Sequence, residues 1–406
     1  MPGISFRLRT FAITGALAIA LAGCVTKPVT APVPKPSVED GTVPAHPLTE
    51  NKPTFLNLPN LGHEHTPVRV GIILPFATGV ASVKALSAAM LKAAQLALYD
   101  SGNRDIILMT ADEGATPADA AGAATRLLDQ GAEVLVGPLF AASVKAVSHE
   151  ARDRGVPVLA FSTDRNVAGD GIYLMGFLPE NDAERIAAYA VDQGKKKIAA
   201  LVPRTAYGDV ALKAFQDGVK DSHGMVEPVE RFEGTTVGAA EPAARIGKAD
   251  ADAIFIPQGG TLLRSIGPAL AVDDPSKTQL LGTGLWNDPA NLHEPSLRGG
   301  WFATVEPGED QSFVNNFRHS FGSEPPTLAA LSYDAISLIA VLSKGEPYKR
   351  FTRSALADPN GFAGVDGIFR FTPEGTAERG LAIVQVTPDG FKVIDHAPKT
   401  FQHPGS

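Results

Sequence analysis

Residues 134–163 read VLVGPLFAASVKAVSHEARDRGVPVLAFST. Val134-Leu135-Val136 is a short apolar run closed by Gly137 and Pro138, the form of a buried strand. From Ala142 to Arg154 the apolar residues recur at helical spacing, and Val158 to Phe161 is apolar again. Strand, helix, strand is the repeating unit of a parallel sheet with helices on both faces.

The alternation extends in both directions. Upstream lie the apolar run Val70 to Leu74 and a helical face of Leu86, Met90, Ala93, Ala94 and Ala97. The strand Ile106 to Thr110 and a helix from Pro117 to Gln130 follow. After Gly171 to Phe177 the pattern restarts with a helix from Asp182 to Gln193, a strand Ile198 to Val202, a helix from Asp209 to Ser222 and a strand Val226 to Phe232. A helix near Glu241 to Lys248, the strand Ala253 to Ile256, a helix from Leu262 to Leu270 and the strand Gln279 to Gly282 complete the second series. Val68 to about Ala397 is long for one compact core, so two α/β lobes with a cleft between them are expected. Phe362 to Ile394 reads as short strands with turns at Pro373-Glu374-Gly375 and Pro388-Asp389-Gly390, expected to extend one lobe.

The N-terminal residues have a different character. Arg7 and Arg9 precede the apolar run Phe11 to Ala22, which is short for a bilayer span and has the layout of a secretion signal. Leu21-Ala22-Gly23-Cys24 resembles the bacterial lipobox, and Cys24 is the only cysteine of the 406 residues. The expectation is removal of residues 1–23 and lipid attachment at Cys24, anchoring the chain to a membrane by its acyl groups alone. Val25-Thr26 lacks the Asp that holds lipoproteins at an inner membrane, which favours the outer membrane and a periplasmic location. Residues 24–67 carry Pro28, Pro32, Pro34, Pro36, Pro44, Pro47, Pro53 and Pro59 with little apolar periodicity, and read as a tether. Fully extended, it would reach on the order of 100 Å.

A net charge of −8 excludes a nucleic-acid surface, which needs clustered cations. Lys195-Lys196-Lys197 is read as a solvated helix-to-strand turn, with phosphate or lipid binding as the alternative. His63-Glu64-His65 offers two imidazoles without a third ligand nearby, a poor metal site in a linker. Catalytic signatures are missing: there is no Gly-x-Ser-x-Gly elbow, no phosphate-binding Gly-x-x-x-x-Gly-Lys and no His-Glu-x-x-His. Asp112-Glu113, after the second strand, is the one adjacent acidic pair near the expected cleft and is read as structural. A non-enzyme without cofactor or metal is expected.

Val70 to Phe76, Val136-Gly137-Pro138-Leu139, Val158 to Thr163 and Ala206-Tyr207-Gly208 together resemble the type I periplasmic binding proteins of the leucine/isoleucine/valine-binding family. The likeness runs in order through nearly all of Val68 to Ile394. It implies two lobes, each a mostly parallel sheet flanked by helices, joined by three crossings, near Phe177 to Asn181, Phe302 to Pro307 and Asn360 to Gly364. The first lobe would then comprise residues 68–178 and 303–360, including a helix Leu328 to Leu342. The second would comprise 179–302 and 361–397, leaving a tail 398–406.

The resemblance also places a ligand cleft at the carboxyl ends of the strands, the usual position in open α/β sheets. The residues there are Phe76, Phe140, Ser143, Phe161, Ser162, Thr163, Tyr207, Gln258 and Trp286. Ser162 and Thr163 match positions that hold a ligand carboxylate. The acid that answers a ligand ammonium is expected on the second lobe, where this chain reads Gly282-Thr283-Gly284-Leu285-Trp286-Asn287-Asp288 with Asp288 the nearest acid. The aromatics either line an apolar pocket or fill the cleft.

The Gly282 to Asp288 turn, Gly299-Gly300-Trp301-Phe302 and Tyr333-Asp334 look like the lipoprotein subgroup called penicillin-binding protein activators. That subgroup implies regulation of a peptidoglycan synthase. The broader family implies delivery of an amino acid, peptide or other small solute to an ABC importer. The subgroup, the outer-membrane signal and the tether favour the regulator.

Overall fold

The computed structural model describes residues 67–271, 277–347 and 349–402. The first lobe opens with β1 (Val68–Leu74), α1 (Ala81–Ser101), β2 (Ile106–Asp112), α2 (Pro117–Asp129), β3 (Val134–Val136), α3 (Ala141–Asp153), β4 (Val158–Ala160) and β5 (Ile172–Leu174). These strands pair in the order β2-β1-β3-β4-β5, all parallel. Every residue of β1 is buried because helices cover both faces of the sheet. Val70 and Ile72 meet Met90 and Ala94 of α1 on one face, while Ile73 meets Ala123 and Leu127 of α2 on the other.

Local chemistry sets the ends of these elements. Thr116 caps α2 with Asp119 in a reciprocal capping box, and Pro117 occupies the first turn. The turn after β3 passes so close to β1 that a Cβ at Gly137 would lie 2.0 Å from the Ile73 carbonyl oxygen, at a φ of 88°. Only glycine fits there.

The second lobe comprises α4 (Pro179–Asp192), β6 (Lys197–Pro203), α5 (Ala206–Asp221), β7 (Met225–Phe232), α6 (Thr236–Ile246), β8 (Ala253–Phe255), α7 (Gly260–Leu270), β9 (Gln279–Gly282) and β10 (Trp301–Thr304). Helices α5 and α6 begin earlier than their apolar patterns suggest. The hydroxyls of Thr205 and Thr235 accept from the N–H groups of Gly208 and Gly238, so these caps, rather than apolar periodicity, set where the first turns begin.

The chain returns through α8 (Gln311–Phe321) and α9 (Ala329–Leu342), and α9 lies along α1. It ends in β11 (Phe362–Gly364), β12 (Gly367–Phe371), β13 (Ala377–Arg379), β14 (Ala382–Thr387) and β15 (Gly390–Asp395). The second sheet has the order β15-β14-β10-β9-β8-β6-β7, with β14 and β15 antiparallel to their neighbours.

Two lobe boundaries differ from expectation. β10 belongs to the second sheet, so a first-lobe segment cannot begin at residue 303, inside that strand. The terminal strands do not all join one lobe. β11 to β13 form a separate antiparallel sheet whose Phe369, Phe371 and Ala377 pack in the first-lobe core, and Thr376 bridges to Leu174. Only β14 and β15 extend the second sheet, so the third crossing falls at Gly380 rather than at Asn360 to Gly364. The reason lies in the aromatic faces of β12, which have a partner in Tyr173 of β5.

A buried charged cluster sits beside these crossings. Arg379 donates to the Met175 carbonyl and stacks over Phe177 and Phe369, with its guanidinium 4.7 and 5.3 Å from the ring centres. It neighbours Asp334 and Asp366, and all three side chains are nearly inaccessible. Burial pushes the carboxyl of Asp334 up to about 6 and that of Asp366 to about 7, against the pull of Arg379.

Candidate functional site

Parallel α/β sheets leave their strand ends and helix starts on one edge, where loops meet solvent. On the first lobe that edge is shaped by Glu113, which is fully buried. Its carboxylate accepts from the N–H groups of Leu139 (2.9 Å) and Phe140 (3.2 Å) and from the Ser143 hydroxyl. Burial raises its carboxyl above the usual range, and these hydrogen bonds oppose the shift. Asp112 accepts from Ala77 N–H (3.1 Å), tying the turn after β1 to the end of β2. The acidic pair thus braces two turns.

This bracing decides the fate of several expected cleft residues. Ser143 is buried and committed to Glu113, and Phe161 is packed in the first-lobe core. Both are corrected from cleft lining to structural support. Ser162 is buried, and its hydroxyl accepts from Asp164 N–H at 3.1 Å. Thr163 is exposed, Phe76 is half-buried against the core, and Phe140 stands out from the start of α3 at 47% exposure.

On the second lobe Trp286 is the clearest correction. It is fully buried in the core, its indole N–H donates to the Ile256 carbonyl (3.0 Å), and Asn291 caps its own carbonyl (2.9 Å). A Cβ at Gly282 would fall 2.3 Å from the indole ring, so that glycine makes room for it. Asp288 pairs with Arg264 at 2.9 Å and accepts from Ala290 N–H, the larger cause of its lowered carboxyl pKa. It caps the following turn. Gln258 is half-buried and donates to the Gly259 carbonyl.

The polar cluster at this edge comes partly from residues that sequence reading passed over. The Tyr207 hydroxyl, at the start of α5, lies 2.8 Å from the Thr283 hydroxyl that follows β9. Asp182, in the first turn of α4, accepts from Gly284 N–H at 2.9 Å. Its carboxyl is pushed up to about 7 by burial, and the same carboxylate adds to the burial that raises the Tyr207 phenol. Asp182 had no distinguishing signal, because an acid in a first helical turn usually serves the helix dipole. Leu285 beside it is 45% exposed. At the first crossing Glu180, nearly buried, meets Arg165 of the first lobe at 3.4 Å.

A hollow of about 460 Å³ beside the start of α5 is lined by Arg204, Thr205, Ala206, Asp209 and Arg231. Its arginines are already paired, Arg231 with Asp209 and Arg204 with Glu233. Lys197 of the lysine run pairs with Asp250, and Asp252 accepts from the backbone of Lys196 and Lys197, as a turn requires. Among the described residues no cluster of His, Cys, Asp and Glu forms a metal site, and no helix is long and apolar enough to cross a membrane. The signal, Cys24, the tether and His63-Glu64-His65 lie outside the described residues.

The arrangement is that of a two-lobed binding protein, each lobe a mostly parallel sheet flanked by helices, and the periplasmic binding protein family model matches residues 67–391. The chain belongs to that family, whose members bind ligands rather than catalyse reactions and act outside the cytoplasm. No curated protein matches it in sequence. Solved structures share its fold. A putative branched-chain amino acid ABC transporter protein from Rhodospirillum rubrum is 21% identical, with a TM-score of 0.71 over 81% of this chain and all of that one. A Desulfitobacterium hafniense ABC transporter substrate-binding protein in complex with Leu gives 19% identity and a TM-score of 0.61 over 81% and 100% of the two chains. A solute-binding protein from R. palustris in complex with benzoate gives 18% and 0.59 over 83% and 98%.

Proposed function

We propose that this chain is a lipid-anchored solute-binding protein that captures a small organic molecule between its lobes and delivers it to an ABC importer. The observation that carries the reading is the polar group of Tyr207, Thr283 and Asp182 gathered from three separate elements at the strand ends of the second lobe. The exposed side chains of Phe140 and Leu285 offer apolar contact for a ligand body, while Asp182, its carboxyl pushed up to about 7, offers a hydrogen-bonding group to an ammonium or hydroxyl. Ligands of both kinds occur in structures sharing this fold, with Leu in one and benzoate in another.

The regulator of a peptidoglycan synthase loses its strongest local support. The turn that suggested it carries Trp286 inward as core packing, leaving no aromatic anchor for a partner at that position. Anchoring at Cys24 and sorting to the outer membrane remain part of the proposal on the strength of residues 21–26.

A thermal-melting screen against amino acids, small peptides, aromatic acids, sugars and muropeptides tests the reading. A ligand at about a hundred times its Kd should stabilise the folded protein by about 2.7 kcal/mol. A clear shift with one class supports solute capture, and no shift with any class overturns it.

A further inference from the structure

The last described residues do not stay with the lobe that precedes them. Ala397 is buried in the second-lobe core beyond β15, yet four residues later Phe401 lies under the guanidinium of Arg370, 4.6 Å away, on β12 of the first lobe. A Cβ at Gly361 would lie 2.9 Å from the Phe401 ring, so the contact is close. Gln402 donates to the Asn360 side chain on the same lobe.

Between these ends the segment is fastened to the crossings themselves. At the second crossing, Glu306 meets the His396 ring at 2.7 Å and accepts from Ala397 N–H at 2.8 Å, and the His396 bond is the main reason its carboxyl is held below the usual range. Lys399 pairs with Glu309, just ahead of α8. The Pro398 carbonyl oxygen would stand 3.0 Å from a Cβ at Gly380, the third crossing.

We propose that residues 396–402 form a strap, a fourth and non-covalent link between the lobes that restrains their rotation about the covalent crossings. Hinge rotation requires the crossings to change their backbone angles while the lobes move as bodies. A segment rooted in one core, bonded to the second crossing, packed against the third and seated on the opposite lobe must stretch or detach when that happens. The Lys399–Glu309 and His396–Glu306 pairs and the Phe401–Arg370 stack are side-chain contacts on an accessible edge, so they release without unfolding either core.

The test is spin-label distance measurement on the full chain carrying Cys24→Ser, with labels at Tyr99→Cys on α1 and Val237→Cys on α6, both highly exposed. It compares the intact C-terminus with a chain ending at Ala397 and with a Lys399→Glu, Phe401→Ala double variant. Release of the strap broadens the interlobe distance distribution or shifts it by more than its full-length width, in both altered chains. Unchanged distributions in folded protein overturn the proposal. Should the truncated chain fail to fold, the double variant alone decides by the same criterion.

Discussion

The hydroxyls of Tyr207 and Thr283 stand 2.8 Å apart and join the helix after β6 to the turn after β9 across the middle of the second-lobe sheet. Tyr207→Phe keeps the ring and removes the bond, costing about 1 kcal/mol of stability. With the hydroxyl part of the ligand edge, affinity for the solute identified by melting should fall about tenfold, equivalent to about 1.4 kcal/mol, by isothermal calorimetry. A Thr163→Ala, Tyr207→Ala double variant that binds as tightly as the original would remove both residues from the site.

Trp286 is a stability residue under the present structure. Trp286→Ala should cost about 3–5 kcal/mol in urea unfolding, the range for large aromatic truncation in a core. Trp286→Phe should retain most of that stability and leave ligand preference unchanged. A switch in preference would return the side chain to the cleft.

Glu113 is a brace whose loss exposes its dependants. Glu113→Ala leaves the N–H groups of Leu139 and Phe140 without their acceptor and should destabilise by about 2 kcal/mol or more. Hydrogen exchange should rise first at residues 137–143, and protection there equal to the parent's would refute the bracing role.

The pH dependence of stability carries the mark of Asp366. Its carboxyl, ordinarily at 3.8, is raised to about 7 in the folded protein, so between those values the native state holds a proton that the unfolded chain has released. Stability from this group is therefore greatest below pH 4 and declines as pH rises toward 7. Asp366→Asn should remove that decline, gaining on the parent more at pH 8 than at pH 5 in paired urea melts. An equal difference at both pH values would show that Asp366 does not hold the proton.

Much of the fold was legible because parallel strands buried on both faces are continuous apolar runs, as Val134-Leu135-Val136 and Val158-Leu159-Ala160 are. The partition of residues 361–397 was not, since short antiparallel strands look alike whichever core receives them. What divides them is the match between Phe371 and Tyr173, residues far apart in the chain. In the candidate site, Tyr207 is proposed from the resemblance of Ala206-Tyr207-Gly208 to the binding-protein family. Trp286 misled because a strand-end position says nothing of whether a ring turns inward, and Asp182 was invisible because its partner is the backbone of Gly284.

The return of α9 to lie along α1 has a consequence for how the molecule is made. The five parallel strands of the second sheet are complete once Thr304 has been synthesised, with β14 and β15 as later additions. The first lobe waits for α9 and for β11 to β13, contacts of high sequence separation that form slowly. A chain cut short after β10 would carry a nearly finished second lobe beside a first lobe whose apolar α1 face still lacks its cover, the kind of species that aggregates.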